Sequence, residues 1–252
     1  MKVLFLDIDG VLQPCSRKER FAHMEEIPAI CASLNKKLKT DFDYEAFIAD
    51  SYNRQCDVGA VYFDWDKTSV ERLRRILDTT GARVVLSSDW REGGMKRMKG
   101  LMAIHGLDGY LDDATFCILD SERISKNYKA YSEKQNEWSK TRDVIHDFLR
   151  KLYPAASKWS RGVDSRVVEI REYLDRHPEI TSFVALDDRN LEKGLEGHFV
   201  YTEDRISEED VCRSIEILNR EDGPFMLDEV LHTPELEEWR KKYTKDSSFL
   251  KS

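Results

Sequence analysis

The sequence predicts an α/β protein with a doubly wound, mainly parallel sheet that carries helical insertions. Two observations predict this class. Short apolar runs alternate with amphipathic stretches of helical spacing along much of the chain. Several of the apolar runs also end in carboxylate or hydroxyl residues, and ligands of such sheets bind at the carboxyl ends of the strands. The 252 residues, 40% hydrophobic and 35% charged, suffice for one large domain with insertions.

The first elements form an α/β step. Residues 2–7 form an almost continuous apolar run that ends in aspartate, which is typical of a strand buried on both faces. The Thr68-x-x-Glu71 spacing predicts a capping box for a helix over 69–79. A second buried strand is predicted directly after it, at residues 83–87.

Further strands are predicted at 115–119, 182–186 and 198–201. A helix over about 166–176 precedes the second of them, because its apolar residues fall on one face. The Ser207-x-x-Asp210 spacing predicts a capped helix after the last strand. Strands and helices therefore alternate through the chain.

Two segments exceed ordinary connections, which run to about 12–15 residues at most. They are residues 14–59, predicted as a helical cap-like insertion, and about 120–162, predicted as a second insertion. The predicted core is then 1–13 and 60–220, with a helical tail at 221–252. Both insertions are expected over the carboxyl edge of the sheet.

Charge and composition exclude several classes of protein. The 40 basic and 48 acidic residues give a net charge of −8, so no global positive field gathers nucleic acid or a membrane surface. The apolar run at residues 3–6 is too short for a signal peptide or a membrane span. Five scattered cysteines without a C-x-x-C pair indicate reduced thiols. We expect a cytoplasmic protein with no membrane association and no obligate protein partner.

The informative residues lie at the ends of predicted strands. The first strand ends in Asp7-Ile-Asp-Gly10, the second in Ser87-Ser-Asp-Trp-Arg91, and the strand at 182–186 is followed by Asp187-Asp188. These ends meet at one edge of a parallel sheet. Clustered carboxylates repel one another unless a hard cation neutralises them, and ligation by oxygen alone suits Mg²⁺. The sequence therefore predicts Mg²⁺ as a cofactor.

Asp7 and Asp9 suit two different catalytic tasks. One carboxylate can act as nucleophile and the other as general acid and base. Gly10 allows a tight turn beside a phosphate. Taken alone the motif is weak, since a similar pattern opens calcium-binding loops. The ordered combination of all three strand ends is much more specific.

That combination resembles the haloacid dehalogenase (HAD) superfamily of phosphohydrolases, in which four motifs occupy the strand ends of a Rossmann-like sheet. The first motif is similar to residues 5–11, the second to residues 84–87, and the fourth to residues 185–188. The third motif is a Lys or Arg shortly before the fourth. Arg166 is the first choice, with Arg161 and Lys158 as alternatives.

A narrower resemblance is to the HAD domain found in multifunctional RNA-repair proteins. It is carried by residues 86–91, by 166–170 and by 186–188. It covers about residues 1–13, 60–119 and 163–220, and it leaves out the two insertions and the tail.

The resemblance implies a role for each residue. Asp7 would attack phosphorus, Asp9 would protonate the leaving oxygen and then activate water, and Ser87 and Arg166 would bind the phosphoryl group. Mg²⁺ would be held by Asp7, Asp188 and the Ile8 carbonyl, with Asp9 and Asp187 as further members of the metal set. The residues implied to contact substrate are Ser88, Arg91 and Gly10.

Simpler structural roles remain open for several of these residues. Ser88 fits a strand-end cap, Arg91 fits an ion pair, and Arg166 fits a helical pair with Glu169. The basic residues of the run 91–99 fit a solvated helix face as well as a surface for a polyanion.

Three functions are therefore considered. The first is a Mg²⁺-dependent phosphomonoester hydrolase acting through an aspartyl-phosphate, whose partner is a phosphorylated small molecule. The second is a phosphatase acting on a nucleic-acid or nucleotide end, motivated by the narrower resemblance and the basic run. The third is a non-catalytic binding module on a HAD-like scaffold, which the intact set of carboxylates disfavours.

Overall fold

The structure is a computed structural model that describes residues 1–91, 93–115 and 164–225. Its five described strands form one parallel sheet, which confirms the predicted class. The strands are β1 (Lys2–Leu6), β2 (Arg83–Leu86), β3 (Leu111–Ala114), β4 (Ser182–Asp187) and β5 (Phe199–Tyr201). Their order is β3-β2-β1-β4-β5, so β1 lies at the centre of the sheet.

Helices flank this sheet. Those described are α1 (Ile27–Lys37), α2 (Tyr44–Ala49), α3 (Tyr52–Gly59), α4 (Lys67–Thr80), α5 (Gly94–Ala103), α6 (Ser165–Arg176) and α7 (Glu208–Leu218). The first three lie in the segment 14–59, and α3 runs into a π-helical turn, Ala60–Asp64. Within the described residues, no helix has both the length and the apolar character that a membrane crossing requires.

Side chains of β1 alternate between two apolar clusters. Leu4 and Leu6 pack into the cluster that includes residues of α4, α5 and α7, whereas Val3 and Phe5 pack into the cluster that includes residues of α6. Apolar residues of α1, α2 and α3 belong to the first cluster. The helices of segment 14–59 therefore pack directly on the core of the sheet domain.

The predicted capping box of α4 is wrong, whereas that of α7 is confirmed. The helix α4 is capped by Asp66, whose carboxylate accepts a hydrogen bond from the backbone N–H of Ser69 at 2.8 Å. The backbone N–H of Asp66 also donates to the carbonyl of Leu12 at 2.7 Å, a contact between distant segments that fixes where the helix begins. In α7, Ser207 and Asp210 form the reciprocal hydrogen bonds of a capping box.

The strand β3 was not predicted, and it ends directly before the predicted strand at 115–119. Thr115 follows β3 and donates its backbone N–H to the Leu86 carbonyl at 2.9 Å, and residues 116–119 lie outside the described part. The strand carries two aspartates, Asp112 and Asp113, so it lacks the apolar run that marks a buried strand. A strand of this kind, at the edge of the described sheet, escapes a search for continuous apolar residues. The predicted insertion at 120–162 and the tail beyond 225 also lie outside the described residues.

Candidate active site

Three carboxylates meet at the carboxyl ends of β1 and β4. Asp7 directly follows β1, Asp187 is the last residue of β4, and Asp188 comes next. These strands are adjacent and parallel, with Leu6 paired to Leu186, so their ends lie side by side. One carboxylate oxygen from each aspartate lies within 4.8 Å of the other two. The fold thus brings together residues that are far apart in the sequence.

Arg166 lies against this carboxylate cluster. Its Nη1 atom is 2.8 Å from Oδ2 of Asp7 and 3.0 Å from Oδ2 of Asp187, and all three side chains are buried. The arginine occupies the first turn of α6, where the Asp164 carboxylate accepts the backbone N–H of Arg166 at 2.9 Å. Arg166 is therefore the cation that the structure places at the site. The alternatives, Arg161 and Lys158, lie outside the described residues.

Burial and mutual repulsion shape the charges of the cluster. Burial raises the pKa of Asp187 to about 7, and the negative charge of Asp7 adds to the effect. The same two causes raise the pKa of Asp188. Burial by itself would lower the pKa of Arg166, but the carboxylates of Asp7 and Asp187 outweigh it and raise that pKa. One guanidinium thus stabilises the negative charge only in part, and the cluster favours a further cation.

The donor set of the cluster fits Mg²⁺. It consists of carboxylate oxygens alone, which suit a hard cation. Gly10 lies against it with a φ of +72°, and a Cβ atom at that position would lie 2.5 Å from Cβ and Cγ of Asp188. The turn after β1 therefore requires glycine both for its backbone conformation and for the room that Asp188 occupies.

Two predicted metal contacts have other partners in the structure. The Ile8 carbonyl accepts hydrogen bonds from the backbone N–H groups of Leu12 and Gln13, each at 2.9 Å. The turn already uses its lone pairs, which weighs against a metal contact. The Asp9 carboxylate lies outside the group formed by the other three aspartates.

Asp9 is instead held by two side chains. The indole N–H of Trp90 donates to Oδ2 of Asp9, and the side-chain amide of Gln13 donates to Oδ1, each at 3.0 Å. Burial raises the pKa of Asp9, the hydrogen bond from Trp90 lowers it in part, and the charge of Asp7 raises it again. Sequence reasoning missed this role of both Gln13 and Trp90. The one local signal for Gln13 is its place at the end of the turn that Gly10 opens.

Ser87 offers a hydroxyl with no hydrogen-bond partner among the described residues. The residue follows β2 directly and donates its backbone N–H to the Leu6 carbonyl at 2.8 Å, which places it beside the end of β1. The side chain is 1% exposed. A buried hydroxyl without a partner is uncommon, because it costs the free energy of its lost hydration. Its position suits a ligand oxygen at this edge.

The neighbouring predicted contacts have structural partners. Ser88 is buried, and its hydroxyl accepts the backbone N–H of Trp90 at 3.4 Å, as expected of a residue that caps a turn. The Arg91 guanidinium forms a buried ion pair with Glu169 of α6 at 2.8 Å. This pair links the segment after β2 to α6, the helix that carries Arg166. Glu169 therefore pairs with Arg91, whereas the helical alternative would pair it with Arg166.

A cleft of about 840 Å³ adjoins Asp9 and is bounded by residues of the segment 14–59 and of α5. Its basic residues are Arg20, Arg54, Lys96 and Arg97, and its aromatic residues are Phe42, Phe47 and Trp90. Lys96 and Arg97 come from the predicted basic run, whereas Arg91 of the same run is buried in its ion pair. The basic run is therefore neither a uniformly solvated face nor a uniform binding surface.

The family model described as the HAD domain in Swiss Army Knife RNA repair proteins matches residues 3–211. The chain belongs to this family. The matched HAD domain runs from β1 into α7 and includes the segments 14–59 and 120–162, which the motif resemblance had left out. Membership places the chain in a family of hydrolases and phosphatases and confirms the resemblance carried by the strand-end motifs. No curated protein and no solved structure shows a significant match to this HAD domain.

Proposed function

We propose that this HAD domain is a Mg²⁺-dependent phosphomonoester hydrolase that forms an aspartyl-phosphate on Asp7. One observation carries the proposal. The Asp7 carboxylate lies at the carboxyl end of the central strand, 2.8 Å from the Arg166 guanidinium and grouped with Asp187 and Asp188. These contacts support a nucleophile, a cation and oxygens able to bind a metal, all at one point of the fold.

Asp7 is oriented for attack. Oδ2 of Asp7 contacts Arg166, while Oδ1 accepts the backbone N–H of Ile8 at 2.8 Å. In the first step an Asp7 oxygen forms a bond to phosphorus while the bond to the leaving oxygen breaks. Arg166 and the Ser87 hydroxyl stabilise the phosphoryl oxygens as they carry negative charge. Mg²⁺, when bound by Asp7, Asp187 and Asp188, would supply further charge neutralisation and orientation of the phosphoryl group.

Asp9 suits the proton transfers of both steps. In the first step the Asp9 carboxyl group gives its proton to the leaving oxygen, and burial, which raises the pKa of Asp9, makes that proton easier to carry. The resulting carboxylate then takes a proton from the water that attacks the aspartyl-phosphate, which releases phosphate and restores both aspartates. Covalent capture on Asp7 divides one difficult step into two easier ones.

A second candidate is a phosphatase acting on a nucleic-acid or nucleotide end. The cleft beside Asp9 favours it, because its aromatic side chains and Lys96 offer room and contacts for more than a phosphate group. Its arginines, Arg20, Arg54 and Arg97, each pair with an aspartate. The family description, which names RNA repair proteins, supports the same substrate class. A non-catalytic binding role is disfavoured, since Asp7, Asp9, Ser87, Arg166 and Asp188 are all present.

Hydrolysis of an aryl phosphate tests the reaction class, with and without Mg²⁺. Asp7→Asn keeps the size of the side chain and removes the nucleophile, so we expect activity to fall by about 10³-fold or more. Asp112→Asn is the matched control, because Asp112 is an exposed carboxylate of β3 that pairs with Arg83. Full Mg²⁺-dependent activity in Asp7→Asn would refute the proposal.

A substrate panel separates the two candidates. It comprises nucleotides, sugar phosphates and oligonucleotides with a terminal phosphate, each assayed at low and high salt. Preference for oligonucleotide ends that weakens as salt rises is the result expected of the second candidate. Equal hydrolysis of small phosphates and oligonucleotide ends, without salt dependence, would contradict it.

A further inference from the structure

We propose that Trp90 and Gln13 are positioning residues that aim the Asp9 carboxyl group at the leaving oxygen. This assignment rests on the proposed phosphatase function and adds to it two residues whose roles the strand-end motifs do not predict. The step concerned is the transfer of the Asp9 proton to the leaving oxygen as its bond to phosphorus breaks. Neither Trp90 nor Gln13 gains or loses a proton in that step.

The geometry assigns one donor to each oxygen of Asp9. Trp90 donates to Oδ2 and Gln13 to Oδ1, both at 3.0 Å. The two donors come from different segments, one after β2 and one in the turn after β1. Hydrogen bonds to both oxygens fix the position and the plane of a carboxyl group, which a single bond would leave free to rotate. Proton transfer to a bound oxygen requires that fixed direction.

Trp90 is itself held in place by Arg97, a residue that lines the cleft. The Trp90 carbonyl accepts a hydrogen bond from Nη1 of Arg97 at 2.8 Å, and the guanidinium of Arg97 lies 5.6 Å from the centre of the indole ring. Arg97 in turn forms an ion pair with Asp57 of α3 at 2.9 Å. The indole therefore connects the segment 14–59 to Asp9.

Gln13 has a similar arrangement. Its backbone carbonyl accepts the N–H of Gly10 at 2.7 Å, which closes the turn that holds Asp9. Its side-chain oxygen accepts a hydrogen bond from Arg20 at 3.4 Å, so the amide nitrogen is directed toward Asp9. Arg20 is anchored by an ion pair with the buried Asp64 at 2.9 Å. Both donors to Asp9 are thus fixed by arginines that line the cleft.

Trp65 is a neighbouring tryptophan that serves as a structural comparison. Its ring contacts that of Trp90 edge to face, with centroids 6.1 Å apart, and its side chain is almost fully buried. Its indole N–H has no hydrogen-bond partner among the described residues. The two adjacent tryptophans therefore differ in whether the indole N–H forms a hydrogen bond, which is the feature that the proposal uses.

The dependence of kcat/KM on the leaving group tests the orientation of Asp9. An alkyl phosphate needs a proton on its leaving oxygen, whereas a dinitrophenyl phosphate releases a stable anion. In Trp90→Phe, which removes the donor and keeps an aromatic ring, we expect kcat/KM to fall about 10- to 100-fold for the alkyl phosphate. For the dinitrophenyl phosphate we expect a fall of less than about threefold. Gln13→Leu is expected to show the same selectivity.

Trp65→Phe is the matched control, because it removes an indole N–H that has no hydrogen-bond partner among the described residues. We expect it to leave the ratio of the two kcat/KM values unchanged even if it lowers stability. An equal loss for both substrates in Trp90→Phe, or no loss, would overturn the positioning role and leave the phosphatase function standing. A wild-type protein inactive toward both substrates would overturn the function and the positioning role together.

Nuclear magnetic resonance of the indole N–H groups tests the contact without any assay of activity. The chain has five tryptophans, and the signal absent from Trp90→Phe identifies Trp90. We expect Asp9→Ala to move this signal upfield, since it loses a carboxylate acceptor, and to leave that of Trp65 almost unchanged. An unmoved Trp90 signal would contradict the proposed hydrogen bond.

Discussion

Nη1 of Arg166 lies 2.8 Å from Asp7 and 3.0 Å from Asp187, so one guanidinium bridges the ends of two adjacent strands. The bridge joins the proposed nucleophile to a proposed metal-binding carboxylate. Its direction is set by the first turn of α6, which Asp164 caps. The charge balance of the whole site therefore depends on where α6 begins.

The affinity for Mg²⁺ should depend on pH because protons compete for Asp187. Burial and the charge of Asp7 raise the pKa of Asp187 to about 7, so below that pH a bound ion must displace a proton. We expect the affinity to fall by up to about tenfold for each pH unit below 7. Calorimetric titration between pH 5.5 and 8 measures this slope. A flat profile would contradict the prediction, and Asp187→Asn should reduce the slope.

The same raised pKa predicts how stability varies in the metal-free protein. The folded state holds the Asp187 proton more tightly than the unfolded state, where the pKa is near its ordinary 3.8. The contribution to the free energy of unfolding is therefore present at low pH and is lost as pH rises toward 7. We expect the melting temperature in a chelator to fall across this range and Mg²⁺ to restore it near pH 7. A melting temperature that rises with pH in wild type but not in Asp187→Asn would contradict this sign.

Ser87→Ala should separate stability from activity. The Ser87 hydroxyl is buried without a partner, so its removal should leave the free energy of unfolding unchanged or raise it by up to about 1 kcal/mol. Loss of a hydrogen bond to the phosphoryl group should lower kcat/KM by about 10- to 100-fold. Ser214→Ala in α7 is the control, since its hydroxyl is equally buried and also lacks a partner among the described residues. Ser214→Ala should change the free energy of unfolding by a similar amount and leave kcat/KM unchanged.

Gly10→Ala should lower both stability and metal binding. The new Cβ atom would lie 2.5 Å from Cβ and Cγ of Asp188, and the backbone has a φ of +72°. We expect a loss of about 3 kcal/mol or more in the free energy of unfolding and at least a tenfold weaker affinity for Mg²⁺. Gly81→Ala has a similar φ of +69° and nothing within 4 Å, so it should cost only about 1 kcal/mol and leave metal binding intact. Equal effects of the two changes, measured by chemical denaturation and calorimetry, would exclude the steric contact.

Glu169→Ala should destabilise the protein strongly. It removes the carboxylate that pairs with Arg91 at 2.8 Å, where both side chains are only 3% exposed. A charge left in the interior without this partner should cost about 3 kcal/mol or more. Glu216→Ala breaks an exposed pair between α7 and Arg220, which follows the helix, and should cost less than about 0.5 kcal/mol. Urea denaturation compares the two, and similar losses would show that burial does not decide the strength of the Arg91 pair.

The strand ends were predictable because a buried parallel strand has a local signature. An apolar run followed by a carboxylate or hydroxyl is visible at Asp7, Ser87 and Asp187 without any knowledge of contacts. Parallel pairing then brings such ends to one edge, and the register of β1 with β2 and β4 does so. The strand β3 was missed because it carries two aspartates and no continuous apolar run.

Contacts between distant residues were not predictable in the same way. Both Asp66 and Thr68 can cap a helix, and the contact of Asp66 with Leu12 decides between them. Arg91 could have faced substrate or an acidic partner, and the position of α6 directs it to Glu169. These choices depend on the free energy of packing across the fold, which the local pattern of residue types does not contain.

The sequence by itself determined the class of fold, the residues at the strand ends and the resemblance that the family match confirms. Each of these depends on patterns of residues that are neighbours along the chain. Only the tertiary structure decided that Arg166 bridges Asp7 and Asp187, and that Trp90 and Gln13 hold Asp9. Hydrogen bonds act over about 3 Å, so they depend on the placement of whole helices and strands that come together only when the chain folds.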